Sequence, residues 1–173
     1  MDLKSEIREI IDYPIKGINF KDITTLLKNK DALNYVIDSI VDEFKDRGIT
    51  KVVGLEARGF IFGGAIASRL NAGFVPIRKK NKLPSEVITE TYDLEYGTDI
   101  VEMHVDGVSK DDVVLIHDDL LATGGTANAV LKIIKKCGVK KIFFSFVCDL
   151  DTIDTPNKRK IKKYKTQVLV KYS

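Results

Sequence analysis

The stretch Val113–Val130, VVLIHDDLLATGGTANAV, combines an expected strand, a polar loop and the start of a helix. Its first four residues are apolar and fit a buried strand of a parallel sheet, with Asp118 and Asp119 where that strand is expected to end. After loop 122–126, apolar residues recur at helical spacing, and Gly138 is placed to end the helix. A strand, a glycine-containing loop and a helix N-terminus in this order predict an anion-binding site.

The loop residues have the properties that a phosphate requires. The first amides of a helix lack intrahelical partners, and the helix dipole adds partial positive charge there. Glycine side chains leave the backbone open to close approach, whereas threonines add hydroxyl donors, and Thr126 is also a candidate helix cap. The expected phosphate ligands are Ala122, Thr123, Gly124, Gly125 and Thr126.

The two aspartates need a different partner. A carboxylate pair beside a phosphate repels it unless the pair binds neutral hydroxyls or a metal ion. A ribose 5-phosphate satisfies both requirements, with its phosphate in the loop and its 2- and 3-hydroxyls donating to Asp118 and Asp119.

Bulk properties favour one globular domain spanning residues 1–173. The hydrophobic fraction of 44% is ordinary, and the net charge of +3 is too small to argue for nucleic acid. No apolar run reaches the length of a membrane span, and the first residues lack the features of a signal peptide, so we expect a cytoplasmic protein without membrane or nucleic-acid partners. Cys137 and Cys148 form no disulfide framework, and His104 and His117 are expected to be structural.

Two further segments repeat the plan of a strand followed by a loop with charged residues. Lys51–Leu55 is followed by the loop 56–59 and a helix expected from about Phe60 to Leu70. Gly73–Ile77 is followed by the cationic residues 78–80. Alternating strands and helices predict an α/β fold with a parallel sheet flanked by helices, and the loops at the carboxyl ends of its strands form the ligand crevice.

The remaining segments are less regular. Apolar spacing predicts a short amphipathic helix from Leu3 to Ile11, and Pro14 and Gly17 predict an irregular stretch over Tyr13–Asp22. Asp31 is expected to cap the next helix. The polar stretch Asn81–Asp99 is either a mobile lid or a loose hairpin.

The segment IHDDLLATGGTA resembles the phosphoribosyl pyrophosphate (PRPP) motif of type I phosphoribosyltransferases. Four other segments are similar to those of the adenine phosphoribosyltransferase family and occur in its order: DYPIKGINFKDITTLL, VVGLEARGFIFG, FVPIRKKNKLP and ETYDLEYGTDIVEMHVD. The resemblance covers roughly Asp12 to Val147. It fades beyond Asp149.

The resemblance implies a single-domain type I phosphoribosyltransferase fold with a small flexible hood or lid. It also implies transfer of the phosphoribosyl group from PRPP to adenine in purine salvage, Mg²⁺ bound through PRPP without an assured protein ligand, and a homodimer. Glu95 matches the acid/base candidate beside N7 of the base. Pyrophosphate is assigned to Arg58, Arg78 and Lys79, and adenine to Ile18, Asn19, Phe20 and Lys21.

Two positions depart from the family pattern and keep other functions open. Asn19 stands where an aliphatic residue is usual, and Lys21 stands where arginine is usual. Lysine lacks the planar fork of arginine. This difference affects the choice of base only if the side chain of Lys21 contacts the base. The alternatives are a phosphoribosyltransferase for hypoxanthine, guanine or xanthine, and a non-catalytic PRPP-sensing regulator.

Overall fold

A computed structural model describes residues 1–94 and 97–173 of the chain. The elements, in chain order, are α1 (Leu3–Glu6), β1 (Arg8–Ile11), β2 (Asn19–Asp22), α2 (Thr24–Lys28), α3 (Lys30–Phe44), β3 (Lys51–Leu55), α4 (Arg58–Arg69), β4 (Gly73–Lys79), β5 (Val87–Asp93), β6 (Thr98–His104), β7 (Val113–Leu121), α5 (Gly125–Lys136), β8 (Lys141–Leu150), α6 (Pro156–Ile161) and β9 (Thr166–Tyr172).

The main sheet has seven strands in the order β5-β6-β4-β3-β7-β8-β9. Strands β4, β3, β7, β8 and β9 run parallel, whereas β6 pairs antiparallel with β4 and β5 pairs antiparallel with β6. The strand order therefore confirms the predicted α/β class with a mostly parallel sheet. Among the described residues, no helix is long and apolar enough to cross a membrane.

Helices cover both faces of the sheet, which explains why its central strands β3 and β7 are mostly apolar. On one face, Ile40 of α3 and Phe62 of α4 are fully buried in a cluster with Leu115 of β7. On the other face, Val130 of α5 packs in a cluster with Ile116 of β7. Burying each such side chain stabilises the fold by about 1.5–3 kcal/mol.

The N-terminal prediction was wrong in part. The helix ends at Glu6, and β1 pairs antiparallel with β2, so that Ile10 lies opposite Phe20 in a small separate sheet. The expected irregular stretch over Tyr13–Asp22 thus includes a strand. Apolar spacing over a few residues does not separate a helix from a strand whose partner lies ten residues away. We call this two-stranded sheet, with its connecting loop, the hood (residues 8–22).

Other element boundaries also differ from the expectations. Asn29, not Asp31, caps α3, because its side chain accepts hydrogen bonds from the amides of Asp31 and Ala32. Helix α4 begins at Arg58, two residues before the expected start at Phe60. Of the two alternatives for residues 81–99, the structure shows a hairpin formed by β5 and β6.

A buried ion pair lies under the carboxyl end of β8. The Lys158 ammonium of α6 contacts the Asp149 carboxylate of β8, and the two side chains are 2% and 0% exposed. Lys158 also donates to the carbonyl of Leu150 at 2.5 Å, and Lys162 lies 3.1 Å from Asp149. This pair is not predictable from the sequence, because the cationic run around Lys158 is mostly a solvated face.

We expect Asp149→Asn to lower the free energy of unfolding by about 3–5 kcal/mol, because it leaves the buried Lys158 ammonium without its charge partner. Asp154→Asn is the matched control: its pair with Arg159 is exposed, and its loss changes stability by at most about 1 kcal/mol. Urea unfolding of both variants measures the difference, and equal, small changes contradict the assigned cost of the buried charge.

Candidate functional site

Three loops meet at one edge of the sheet, as the sequence predicts. Strands β4, β3 and β7 are neighbours and run parallel, so the loops after them lie side by side. The start of α4 approaches β7 closely: a Cβ atom on Gly59 would lie 3.0 Å from the carbonyl oxygen of His117. A cavity of about 80 Å³ has residues from all three loops in its wall: Glu56, Arg78, Lys79, Asp118 and Thr126.

A second cavity of about 80 Å³ is formed by the predicted phosphate loop itself. Asp118 and all five expected loop residues line it: Ala122, Thr123, Gly124, Gly125 and Thr126. Gly124 has a φ of 79°, a left-handed conformation that glycine adopts without steric cost. It is also the residue from which α5 starts, so the expectation that Thr126 caps the helix was wrong: the chain enters the helix before that residue.

Helix α6 supports the phosphate loop from behind. The Thr155 hydroxyl donates to the carbonyl of Thr123 at 2.5 Å, and the backbone nitrogen of Lys158 lies 3.0 Å from where a Cβ of Gly124 would stand. Sequence reasoning missed this contribution. The pair Thr155-Pro156, a helix cap followed by proline, was the signal for a helix at this place.

The two aspartates lie within β7, which continues to Leu121; the expectation that the strand ends at them was wrong. Adjacent strand residues point to opposite faces, so the pair divides between two neighbourhoods. Asp118 lines both small cavities, whereas the Asp119 carboxylate forms an ion pair with Arg58, its Oδ2 lying 2.6 Å from Nε. Burial and the neighbouring Asp119 charge raise the pKa of the Asp118 carboxyl well above its ordinary value.

Arg58 lies apart from the other two predicted pyrophosphate ligands. Its guanidinium binds Asp119 and lies 5.3 Å from the ring centroid of Phe20, which places it between the sheet edge and the hood. Arg78 and Lys79, in contrast, lie together at the end of β4 and line the cavity with Asp118.

Glu56 was missed by sequence reasoning. It directly follows the buried strand β3, which is the kind of position that pointed to Asp118 and Asp119. Its carboxylate lies 3.3 Å from the Arg78 guanidinium and accepts the backbone N–H of Lys79 at 2.7 Å. Partial burial alone raises the pKa of Glu56, but these two contacts hold it below its ordinary value. Glu56 therefore orders the cationic end of β4.

The four expected base-binding residues do not share one surface of the hood. Phe20 packs edge-on against Tyr13, on the side of Arg58. Asn19 and Lys21 both bind the Glu9 carboxylate, at 2.6 and 2.8 Å. With Ile18, they line a cavity of about 440 Å³ between the hood and the carboxyl end of β8. The Lys21 ammonium also lies 4.1 Å from the ring centroid of Tyr172.

The catalytic prediction for Glu95 lies outside the described residues. His117 is buried on the face opposite Asp118, where its Nδ1 lies 2.8 Å from the Ser145 hydroxyl, and burial lowers its pKa to about 3. Within residues 1–94 and 97–173, no group of three or more His, Cys, Asp or Glu side chains is arranged to hold a metal ion.

Comparison with known proteins identifies the family. The sequence model of the phosphoribosyl transferase domain matches residues 21–171. An adenine phosphoribosyltransferase of Phocaeicola vulgatus is 56% identical over 148 residues, which is 86% of this chain and 85% of that protein. The chain belongs to the adenine phosphoribosyltransferase family. The family match extends to residue 171, well past Asp149, where the sequence motifs end.

Solved structures of this family have the same fold. The adenine phosphoribosyltransferase of Thermoanaerobacter pseudethanolicus superposes with a TM-score of 0.93 at 43% identity, covering 99% of this chain and 98% of that one. The Giardia lamblia enzyme, solved with 9-deazaadenine, gives a TM-score of 0.92 at 37% identity, covering 99% and 97%. These matches confirm the type I phosphoribosyltransferase fold.

We expect Gly124→Ala to lower the free energy of unfolding by about 1–2 kcal/mol, because alanine is strained at a φ of 79° and its Cβ meets the Lys158 backbone. The matched control is Gly64→Ala in α4, where a Cβ meets nothing within 4 Å and helix propensity favours alanine by about 0.5–1 kcal/mol. Thermal unfolding measures both changes. The account is contradicted if Gly124→Ala is as stable as Gly64→Ala.

Proposed function

We propose that the chain transfers the 5-phosphoribosyl group of PRPP to adenine, giving AMP and pyrophosphate in purine salvage. The observation that carries this proposal is the meeting of Arg78, Lys79 and Asp118 in one cavity beside the phosphate loop. PRPP carries a phosphate, a diol and a pyrophosphate, and this edge of the sheet offers groups suited to each. The 9-deazaadenine bound by the Giardia lamblia relative supports adenine as the base.

Each part of PRPP has its proposed ligands. Residues 122–126 bind the 5-phosphate through the backbone amides at the start of α5 and the threonine hydroxyls. Asp118 and Asp119 accept hydrogen bonds from the ribose hydroxyls. Arg78 and Lys79 bind the pyrophosphate. Arg58 assists them, because a guanidinium has five N–H donors and its ion pair with Asp119, closest at Nε, leaves donors for the ligand.

The reaction replaces one bond at the anomeric carbon by another. The bond from C1 to the pyrophosphate oxygen breaks and its electron pair leaves on that oxygen. The in-plane lone pair of N9, in the adenine tautomer protonated at N7, forms the new bond, and the N7 proton passes to the proposed base Glu95. The sugar gains positive charge in between, which the nearby carboxylates stabilise. Glu95 is proposed to act beside N7, and the remaining side chains hold the partners in position.

Phosphoribosyltransferases generally use Mg²⁺ with PRPP. Among the described residues no cluster of side chains is arranged to hold a metal ion, so we infer that Mg²⁺ is held through the oxygens of PRPP, with Asp118, which lines both small cavities, facing it. When bound with PRPP, Mg²⁺ neutralises charge on the pyrophosphate leaving group.

The hood is proposed to hold adenine through Phe20 and backbone groups, because Ile18, Asn19 and Lys21 line a different surface of the hood. Lys21 is only 8% exposed and its ammonium is held by Glu9 and Tyr172. Because Lys21 is engaged in these contacts, we propose that the hood backbone and Phe20, and not the side chain at position 21, determine which base is bound.

We also propose one domain spanning residues 1–173, a homodimer and a cytoplasmic location. Ile61 on α4 is 47% exposed, and such an apolar side chain suits a contact between copies of the chain. Cys137 and Cys148 are both free thiols, as is usual in a reducing compartment.

We expect adenine to give the highest kcat/KM among adenine, hypoxanthine, guanine and xanthine with PRPP and Mg²⁺, and chelation of Mg²⁺ to reduce the rate. Release of pyrophosphate, measured by a coupled assay, compares the four bases. A slower rate with adenine than with another base rejects the proposed substrate. Binding of PRPP without pyrophosphate release for any base instead identifies a PRPP-sensing regulator.

We expect Asp119→Asn and Glu95→Gln to have different kinetic effects. Asp119→Asn removes the ion-pair partner of Arg58 and a charged acceptor for the ribose hydroxyls, so KM for PRPP rises about tenfold or more. Glu95→Gln lowers kcat by about 10²-fold or more, because it removes an acid/base group. Glu86→Gln is the control, because Glu86 is an exposed carboxylate directly before β5. We expect this variant to have the kinetics of the unmodified chain. Unaltered kinetics for Asp119→Asn and Glu95→Gln contradict the assigned roles.

A further inference from the structure

The Lys79 ammonium is tied to the β5–β6 hairpin by two side chains. It contacts the Asp99 carboxylate of β6 and the Tyr92 hydroxyl of β5. The Tyr92 hydroxyl also donates to Asp99 at 3.1 Å, which closes a triangle of three polar groups. The family resemblance accounts for Lys79 alone, and the proposed function uses neither Tyr92 nor Asp99.

Tyr92 links this triangle to the phosphate loop. Its side chain is buried, with 8% exposed, and packs in the same apolar cluster as α5. A Cβ atom on Gly125 would lie 3.6 Å from Cδ2 of the Tyr92 ring, so the ring rests against the first residue of α5. One tyrosine thus spans the distance between the loop for the 5-phosphate and the lysine for the pyrophosphate.

The triangle fixes a side chain that is otherwise flexible. A lysine side chain carries about 2 kcal/mol of rotamer entropy, and holding it in one place before the ligand arrives removes that cost from binding. An ammonium has three N–H donors, and Asp99 and Tyr92 take two, which leaves one for an anionic oxygen of the ligand.

The neighbouring charges also keep Lys79 protonated. Partial burial alone lowers the pKa of the ammonium, but the hydrogen bonds to Asp99 and Tyr92 raise it above its ordinary value. Glu56 binds the backbone N–H of Lys79, and Asp118 faces the same cavity. A fully charged donor at this place is what a pyrophosphate requires.

We propose that Asp99 and Tyr92 are positioning residues that hold the Lys79 ammonium for the pyrophosphate group of PRPP. This inference rests on the proposed function. Neither residue is assigned a contact with substrate; each acts through Lys79, Asp99 by its charge and Tyr92 by its hydroxyl.

The test compares Asp99→Asn and Tyr92→Phe with Asp106→Asn, which removes one charge from an exposed turn after β6. We expect KM for PRPP to rise about tenfold in Asp99→Asn, which loses a charge-assisted hydrogen bond, and about threefold in Tyr92→Phe, which keeps the ring against Gly125. KM for adenine and the dissociation constant of AMP stay unchanged, because neither ligand carries a pyrophosphate. Asp106→Asn behaves as the unmodified chain.

Calorimetric binding of pyrophosphate and of AMP separates this inference from the proposed function. Weaker pyrophosphate binding by Asp99→Asn with equal AMP binding supports it, even if the unmodified chain proves unable to use adenine. Loss of AMP and pyrophosphate affinity together indicates a structural role and overturns it. A lower KM for PRPP in Asp99→Asn overturns it too, because Asp99 then competes with the ligand for Lys79.

Discussion

The site depends on the parallel alignment of three neighbouring strands. Because β4, β3 and β7 run side by side in one direction, the residues that follow their apolar segments are delivered to the same edge. Charges that are far apart in the chain, from Glu56 to Asp118, thereby face one cavity. The apolar clusters on both faces of the sheet fix this alignment, so the core and the site depend on the same strands.

Charge compensation is the second feature that shapes this edge. Asp119 is paired with Arg58, and Glu56 holds Arg78 and the backbone of Lys79, whereas Asp118 is buried beside Asp119 with a raised pKa. Carboxylates therefore order the cations that are proposed to bind PRPP. The phosphate loop has a different support, since backbone contacts with α6 and the conformation of Gly124 set its shape.

The sequence predicts those parts of the molecule that are determined by residues close together in the chain. Buried strands read as apolar runs, and the glycine loop before α5 has a chemical signature, so β3, β7 and residues 122–126 were found from the sequence. Features that depend on distant pairing were not found. Strand β1 forms only by pairing with β2. The contact of Lys79 with Asp99 joins two strands of the main sheet. Lys158 reaches Asp149 only because α6 folds back against β8. Arg58 was assigned by resemblance alone, and its partner Asp119 is not adjacent in sequence.

The most direct test of the central claim is a crystal structure of the chain with AMP. The account predicts the 5-phosphate within hydrogen-bond distance of the amides of residues 123–126, with the ribose hydroxyls at Asp118 and Asp119. A nucleotide bound elsewhere, with this loop free of phosphate, would contradict it.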